Sequence, residues 1–335
     1  MKHRFLACAL CLMPFTAQAQ ASIEDILRDH IMLRFETLAA TSEALAQTAS
    51  DDCEPGSEAL KSVYADAFDA WVSASHLRFG PTEVEDRAFA LAFWPDSRGA
   101  TPRALATLLA EEDPIANAPD SYRDVSIAAR GFYALEFLLY DETLTNAGNP
   151  AYHCTLIQTV TSDIASTSTS ILKDWQNGYA DQMLNPGPDA PYRTDEEVVQ
   201  EMLKALSTGL QFTSDTRLGR PLGTFDRPRP ARAEAYRSGR SASHVLLSLE
   251  ALRDLAARLA TGNADLAETL DAQFADAEEK LTALNDPVFA SVADPQSRLK
   301  VEVVQQAVDK IRETVTQELG PTLGVAAGFN ALDGD

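Results

Sequence analysis

The sequence has few cysteines, no long apolar run and few basic residues for its length. Of its 335 residues, four are Cys, 28 are Lys or Arg and 50 are Asp or Glu, which leaves a formal charge of −22. No segment reaches the roughly 18 apolar residues that a membrane-spanning helix needs. The acidic balance excludes a nucleic-acid binder with a basic surface, because phosphates are bound by Lys and Arg. It also argues against binding to an anionic membrane surface.

The common catalytic and nucleotide-binding motifs are also missing. The sequence has no HExxH, no GxSxG, no Walker A and no GxGxxG after a strand. Beyond the first 19 residues four of the five histidines are scattered along the chain, and none has a second His or a Glu three or four residues later: His30, His76, His153 and His244. A zinc peptidase needs three protein ligands and an open position, and nothing in the sequence supplies this set.

The first 19 residues have the pattern of a signal peptide. A basic start at 2–4 is followed by an apolar segment at 5–15 and by an Ala-x-Ala cleavage pattern at 17–19. The sequence therefore predicts export to the periplasm, with no membrane span after cleavage. An uncleaved anchor is the alternative.

Two cysteines remain after such a cleavage, Cys53 and Cys154. Export would place them in an oxidising compartment, which favours a disulfide between them. Two cysteines without a CxxC pair do not make a zinc site. The alternative is a pair of unpaired buried thiols.

The remaining sequence has the periodicity of helices and almost no strand patterns. In the last predicted helix, valine and isoleucine recur at intervals of three and four residues from Val301 to Val315. Asp294 and Pro295 are a suitable start for that helix, and Thr194 and Glu197 form a capping box for another. We predict a short helix at 102–110 and eight long helices, at 22–50, 57–78, 121–141, 151–183, 194–213, 231–261, 264–284 and 295–319.

Eight long helices predict an all-α fold of two packed antiparallel four-helix bundles. The segment 184–193, LNPGPDAPYR, cannot be helical, so we place the first bundle at 20–185 and the second at 186–335. A second irregular stretch is predicted at 214–230. An internal duplication is an alternative, but the tetrapeptide Ser-Ala-Ser-His, which occurs at 73–76 and 241–244, is too short to establish it.

A carboxylate lies in the middle of the most apolar segment of the chain, GFYALEFLLY at 131–140. A buried Glu136 must be paired, bound to a cation or protonated. Tyr133 lies one helical turn before it, on the same face. Gly131 permits close approach by another helix or by a ligand. The structural alternative is a Glu–Arg or Glu–Tyr pair at a helix crossing.

The segment FWPDSRG at 93–99 is typical of a tight turn anchored by an aromatic ring. It lies in a predicted non-helical connection, 79–100, and functional loops often have this composition. Asp96 and Arg98 are therefore candidate ligand-binding residues. A cap that folds over the end of the bundle is the alternative.

A cluster of arginines, which we call the basic island, stands out in this acidic chain. Its seven members fall within 24 residues: Arg217, Arg220, Arg227, Arg229, Arg232, Arg237 and Arg240. Only Asp226 and Glu234 oppose them within the same segment. Arginine suits carboxylates and phosphates because its guanidinium is bidentate. The alternative is that the island neutralises acids of the first bundle across the junction.

Together these segments resemble the imelysin family of exported bacterial proteins, over essentially the whole mature chain. The resemblance rests on Gly131-x-Tyr133-x-x-Glu136, on FWPD at 93–96, on GFNALDGD at 328–335 and on the stretch 237–252. It implies two four-helix bundles packed together, a periplasmic or surface location and a link to iron acquisition. The family also carries an old label as a metallopeptidase.

The sequence departs from the family at its most specific motif. The family has Gly-x-His-x-x-Glu, and here Tyr133 replaces the histidine. Tyr133 and Glu136 form an all-oxygen pair, which suits ferric iron or a hydrogen-bonding role better than zinc. We therefore transfer the position of the site, with Glu136 and Tyr133 as candidate metal ligands, and not the peptidase activity.

The sequence thus predicts a non-enzymatic periplasmic binding protein for iron, an iron complex or a small anionic ligand near the bundle junction. Other envelope iron-uptake proteins are its predicted partners. The alternatives are a metallopeptidase and an envelope interaction protein without a small ligand. The predicted ligand-binding residues are Tyr133, Glu136, Asp96, Arg98, Arg237 and Arg240.

Overall fold

The structure is a computed structural model that describes residues 23–325, without the side chain of Asp120. Within this range the chain is helical with no β-strand, and a single bridge joins Thr224 and Arg227. The all-α class is confirmed. None of the helices described is long and apolar enough to cross a membrane. The predicted signal peptide at 1–19 and the motif at 328–335 lie outside the described residues.

Nine α-helices of ten or more residues lie between residues 23 and 325. They are α1 Leu33–Asp51, α2 Glu58–Ala74, α3 Ala100–Glu111, α4 Gly131–Tyr140, α5 Pro150–Asp174, α6 Asp195–Gln211, α7 Ser241–Leu259, α8 Ala264–Ala283 and α9 Pro295–Thr314. A π-helical turn, Leu27–Met32, precedes α1, and another, Phe212–Leu218, extends α6.

The helices pack in two groups that meet along α2 and α7. In the first group α1 packs against α2 and α5, and α4 packs against α5. In the second group α7 contacts α6 and α8, and α9 contacts α8 and α6, so the four helices close a ring. Contact between α2 and α7 joins the groups. The division into domains at 185/186 stays a prediction.

The caps and apolar stripes explain why these segments are helical. The Thr194 side chain accepts from the Glu197 backbone N, as the predicted capping box requires. The Glu197 carboxylate accepts from the backbone N of Arg193, at 2.7 Å, in place of that of Thr194. Asp294 caps α9 by accepting from the backbone N of Ser297 at 2.8 Å. The apolar stripe of α9, from Val301 onward, is fully buried. Helices α6 and α9 therefore begin at a side-chain cap, and α9 buries one face.

The predicted helix at 121–141 is wrong in its first half. Residues 119–124 and 127–129 form 3₁₀ turns, and α4 begins only at Gly131. Gly131 has a φ of +74°, and a Cβ there would lie 2.2 Å from the carbonyl oxygen of Leu91. The close approach predicted for Gly131 is therefore made by the backbone of another segment.

The predicted helix at 231–261 is also too long, because α7 begins at Ser241. Gly239, with a φ of +75°, interrupts any helix before that residue. The predicted irregular stretch at 214–230 is shifted accordingly. The chain stays helical through a short helix, Gly219–Leu222, and is then mostly irregular up to Arg240. This irregular segment carries most of the basic island.

Cys53 and Cys154 form the predicted disulfide, with their Cα atoms 5.1 Å apart and 101 residues of separation in the chain. Cys53 follows α1, and Cys154 lies in the first turns of α5. The bond therefore ties the end of one long helix to the beginning of another in the first group.

We expect the double substitution Cys53→Ser and Cys154→Ser to lower the free energy of unfolding by about 3–5 kcal/mol. The physical reason is that the disulfide closes a loop of about 100 residues and restricts the unfolded chain. Urea unfolding of both proteins measures the difference. Thiol titration of the mature protein, denatured without a reductant, should detect no free thiol, and two reactive thiols would contradict the assignment.

Candidate functional site

Helix α4 carries Tyr133 and Glu136 into the interior of the protein. Eight of its ten residues are buried, and these two side chains are 5% and 2% exposed. The apolar character of the segment explains this burial, because no face of the helix could turn to water without exposing large apolar side chains. Both polar side chains must therefore find partners inside the protein.

Glu136 binds Ser238, which lies in the irregular segment before α7. Its Oε1 accepts hydrogen bonds from the Ser238 backbone N at 2.9 Å and from the Ser238 hydroxyl at 2.8 Å. Burial raises the pKa of Glu136, and the hydrogen bonds from Ser238 only partly oppose this effect. A buried Glu136 with a partner outside its own helix is what the sequence predicts.

Tyr133 binds a different carboxylate, that of Glu234. The phenol donates a short hydrogen bond to Glu234, whose other oxygen accepts from Arg217 Nε at 2.6 Å. Burial would raise the pKa of Glu234, but the charge and hydrogen bond of Arg217 hold it well below its ordinary value. Burial and the Glu234 charge raise the pKa of the Tyr133 phenol well above its ordinary value. At neutral pH the pair is therefore a neutral phenol hydrogen-bonded to a carboxylate.

His244, in the first turn of α7, is fully buried beside this pair. Its Nδ1 lies 3.4 Å from Glu234 Oε2, its Nε2 lies 3.9 Å from Asp69 Oδ1, and its ring packs edge-on against Phe68. Neither ring nitrogen makes a hydrogen bond with a residue between 23 and 325. A buried imidazole without a hydrogen bond is unusual in a folded protein. His244 is therefore the part of the site that a bound molecule or a water could satisfy.

The backbone around Glu234 is held in a conformation that side chains seldom adopt. Ala235 has a φ of +47°, in the left-handed region. Its carbonyl oxygen accepts hydrogen bonds from the Arg240 backbone N and from the Ser238 hydroxyl, at 3.0 and 3.1 Å. This tight turn presents Glu234 to Tyr133 and Ser238 to Glu136. Strain of this kind concentrates at functional sites.

The structure gives Asp96 and Arg98 a capping role. Asp96 accepts from the backbone N of Arg98 and from that of Thr101, the latter at 2.8 Å, at the start of α3. Partial burial would raise the pKa of Asp96, but these backbone N–H groups lower it. Arg98 is exposed. The residue of this loop that reaches the site is Trp94, whose ring stacks on Tyr133 at 6.1 Å between centroids.

Arg237 and Arg240 lie at the junction and bind acids of the first group of helices. Arg237 Nε donates to Asp141 at 2.9 Å, and its guanidinium stacks on the ring of Phe137. Arg240 pairs with Asp69. These two members of the basic island therefore neutralise acids across the junction, which is the structural alternative weighed above.

Sequence reasoning missed most partners of Tyr133 and Glu136. The sequence places Glu234 and Arg217 in the segment of the basic island but does not indicate that they contact Tyr133. No motif singles out Asp69. His244 ends one copy of Ser-Ala-Ser-His and His76 ends the other. In the structure both histidines are buried, but they belong to different clusters: His76 lies beside His30, and His244 beside Glu234.

A second buried polar cluster joins the two groups of helices. His30 Nδ1 lies 2.7 Å from an oxygen of Asp254, and His30 Nε2 lies 2.8 Å from His76 Nε2. His30 precedes α1, His76 follows α2, and Asp254 lies on α7. Burial is the main cause that lowers the pKa of His30, to about 4. Both imidazoles are therefore neutral at pH 7.

Side chains that could bind a metal ion are not clustered in the described residues. Among residues 23–325 no group of three or more His, Cys, Asp or Glu side chains is arranged to hold a metal ion. Tyr133 and Glu136 offer oxygen donors, but each is already hydrogen-bonded to the protein. These two residues alone do not make a closed metal site.

These observations define the class of the protein: it is all-helical and has a buried polar junction between two groups of helices. The sequence profile of the family described as Imelysin matches residues 31–315. The chain therefore belongs to the imelysin family.

Three relatives show how far the similarity extends. Iron-regulated protein A of Synechococcus elongatus is 25% identical over 284 residues, which cover 79% of this chain and 74% of that protein. An imelysin-like protein from Psychrobacter arcticum has a similar structure, with a TM-score of 0.77 at 20% identity, over 96% of this chain and all of that chain. A structure described as an iron-regulated protein A precursor from Parabacteroides distasonis gives a TM-score of 0.76 at 12% identity, over 91% and 96% of the two chains.

We expect Arg217→Ala to destabilise the protein by about 3–5 kcal/mol, because it leaves the buried charge of Glu234 without a counter-ion. Arg312→Ala is the matched control, since Arg312 pairs with Asp215 and Asp309 at the surface and should cost less than about 1 kcal/mol. Denaturant unfolding at pH 7 measures both. An equal fall in the free energy of unfolding in the two variants would show that Arg217 is not needed to stabilise the buried charge of Glu234.

We expect the free energy of unfolding to fall by about 3 kcal/mol through His30 between pH 6.5 and pH 4. In this window the unfolded chain binds a proton at His30 that the folded chain does not, so stability is lost as the pH falls. His30→Gln, whose amide can still donate to Asp254, should flatten this part of the profile. Urea unfolding at several pH values tests this, and an unchanged slope in the variant would contradict it.

Proposed function

We propose that this protein is an exported, non-enzymatic binding protein linked to iron uptake, which takes an iron complex or a small anionic ligand at the junction between α4 and α7. The observation that carries the proposal is His244, a fully buried imidazole whose nitrogens lack hydrogen bonds among residues 23–325. It lies beside Glu234, next to Tyr133. A ligand that enters here would complete the polar contacts that the protein leaves open.

The donor set favours iron that arrives with ligands of its own. Phenol and carboxylate oxygens suit ferric iron, which is a hard cation. However, the Glu234 carboxylate is already bound by Arg217, and Asp69 by Arg240. A bare ion would have to displace these guanidinium groups. An iron complex with anionic ligands needs only one or two oxygens from the protein, and Tyr133 and Glu136 would supply them.

The relatives support the link to iron and the export. The cyanobacterial relative is called Iron-regulated protein A, and the structure from Parabacteroides distasonis is described as a precursor of such a protein. A precursor is consistent with the signal-peptide pattern at 1–19. Periplasmic location and contact with other envelope iron-uptake proteins are therefore part of the proposal.

Tyr133 is the residue through which the proposal is tested. Ferric citrate should raise the thermal midpoint of the wild-type protein above that in citrate alone, because a ligand that binds only the folded state stabilises it. Tyr133→Phe and Glu136→Gln should lose this iron-dependent increment. Tyr122→Phe is the matched control, since it also removes a buried phenol hydroxyl, one that binds the Ala129 carbonyl.

An iron-dependent increment that is the same in wild type and Tyr133→Phe would overturn the assignment of the site. No increment in the wild-type protein would overturn the link to iron binding. The metallopeptidase alternative predicts a different result, namely zinc-dependent hydrolysis of a denatured protein substrate that is inhibited by a chelator and lost in Glu136→Gln.

A further inference from the structure

The structure divides the basic island into paired and unpaired arginines. Arg217, Arg237 and Arg240 each bind a carboxylate. The other four members make no ion pair with any residue between 23 and 325: Arg220, Arg227, Arg229 and Arg232. In a chain with 50 acidic residues, arginines that remain unpaired beside the candidate site call for a separate explanation.

Arg220 is the most constrained of the unpaired arginines. Its guanidinium lies over the ring of Trp94, 5.7 Å from the centroid, and its Nε is buried without a hydrogen-bond partner among the described residues. A buried donor without an acceptor is costly, and a charged donor more so. Partial burial and the charge of Arg232 both lower the pKa of Arg220.

Arg232 lies on the backbone segment that packs against the segment of Arg220. The short helix Gly219–Leu222 packs against the turn Pro230–Arg232. The backbone N of Arg229 also donates to the carbonyl oxygen of Pro221 at 2.8 Å. The backbone therefore places the two segments that carry Arg220 and Arg232 side by side.

Trp94 connects this pair of arginines to the candidate site. Its ring stacks on Tyr133 and meets Phe212 edge-on, with centroids 5.9 Å apart. Trp94 is only half-buried, whereas Tyr133 behind it is almost fully enclosed. The indole thus adjoins both the buried Tyr133 and the guanidinium of Arg220.

We propose that Arg220, Arg232 and the indole of Trp94 form an anion subsite, which binds a carboxylate or phosphate group of the ligand. A bound anion would give Arg220 Nε its missing acceptor, and the charge of Arg232 on the adjoining segment would add to the attraction. The indole of Trp94, which lies under the Arg220 guanidinium, would hold that arginine in place. The subsite deepens the function proposed above and rests on it for the biological ligand, but anion binding here needs no iron.

Iron-free titration of the full mature protein with citrate and with inorganic phosphate tests the subsite. Trp94 is a built-in reporter, because the other two tryptophans, Trp71 and Trp175, are buried. Ionic strength is kept equal with sodium chloride. Saturable fluorescence changes are expected with at least one probe, and the tighter of the two shows whether carboxylate or phosphate is preferred.

Arg220→Gln and Arg232→Gln should each weaken binding by about tenfold or more, as expected when one charged hydrogen-bond donor is lost. Arg193→Gln is the control, since it removes the same charge from an exposed residue that precedes α6. If Arg220→Gln fails to fold, Arg232→Gln still decides the question, because Arg232 is exposed.

Equal affinities in all four proteins, or no saturable response to either probe, would overturn the anion subsite. Failure of the function proposed above would give a different result. Citrate would still bind in an Arg220-dependent way, but ferric citrate would raise the thermal midpoint no more than citrate alone does.

Discussion

Glu234 is the carboxylate on which the contact between the two groups of helices depends. It is 2% exposed, and three residues from different segments converge on it: Tyr133 from α4, Arg217 from the π-helical turn after α6, and His244 from α7. Removing the cation would leave a buried charge, which proteins tolerate poorly. The three segments are therefore held in one relative arrangement, and the site at the junction is built from that arrangement.

The basic island explains how so acidic a chain closes at this junction. Asp69, Asp141 and Glu234 would repel one another or require water if they had no partners. Arg240, Arg237 and Arg217 bind them, and the stacking of Arg237 on Phe137 buries its apolar stem as well. Of the arginines that are left over, Arg220 lies over the ring of Trp94. The same segment therefore contributes both to the stability of the junction and to the surface where a ligand could bind.

Much of the fold follows from local patterns. The valine and isoleucine stripe of α9 is buried as its spacing predicts, and the capping box at Thr194 begins α6 where it should. The two wrong boundaries lie before Gly131 and Gly239, where positive φ angles interrupt the helical conformation. Such angles depend on which backbone passes nearby, as at Leu91, and periodicity carries no information about that.

For the site, the sequence by itself determined that Glu136 would be buried, that Tyr133 would accompany it and that Cys53 would pair with Cys154. Helical spacing and apolar composition are enough for the first two conclusions, because they decide which side chains leave water. The disulfide was favoured by the export signal and by the two cysteines that remain after it. Only the tertiary structure decided what the buried groups bind. Glu136 and Ser238 are 102 residues apart in the chain, and Arg240 and Asp69 are 171 apart. Partners at such distances are chosen by how whole helices pack, so no local pattern near Tyr133 could have named Glu234, His244 or Trp94.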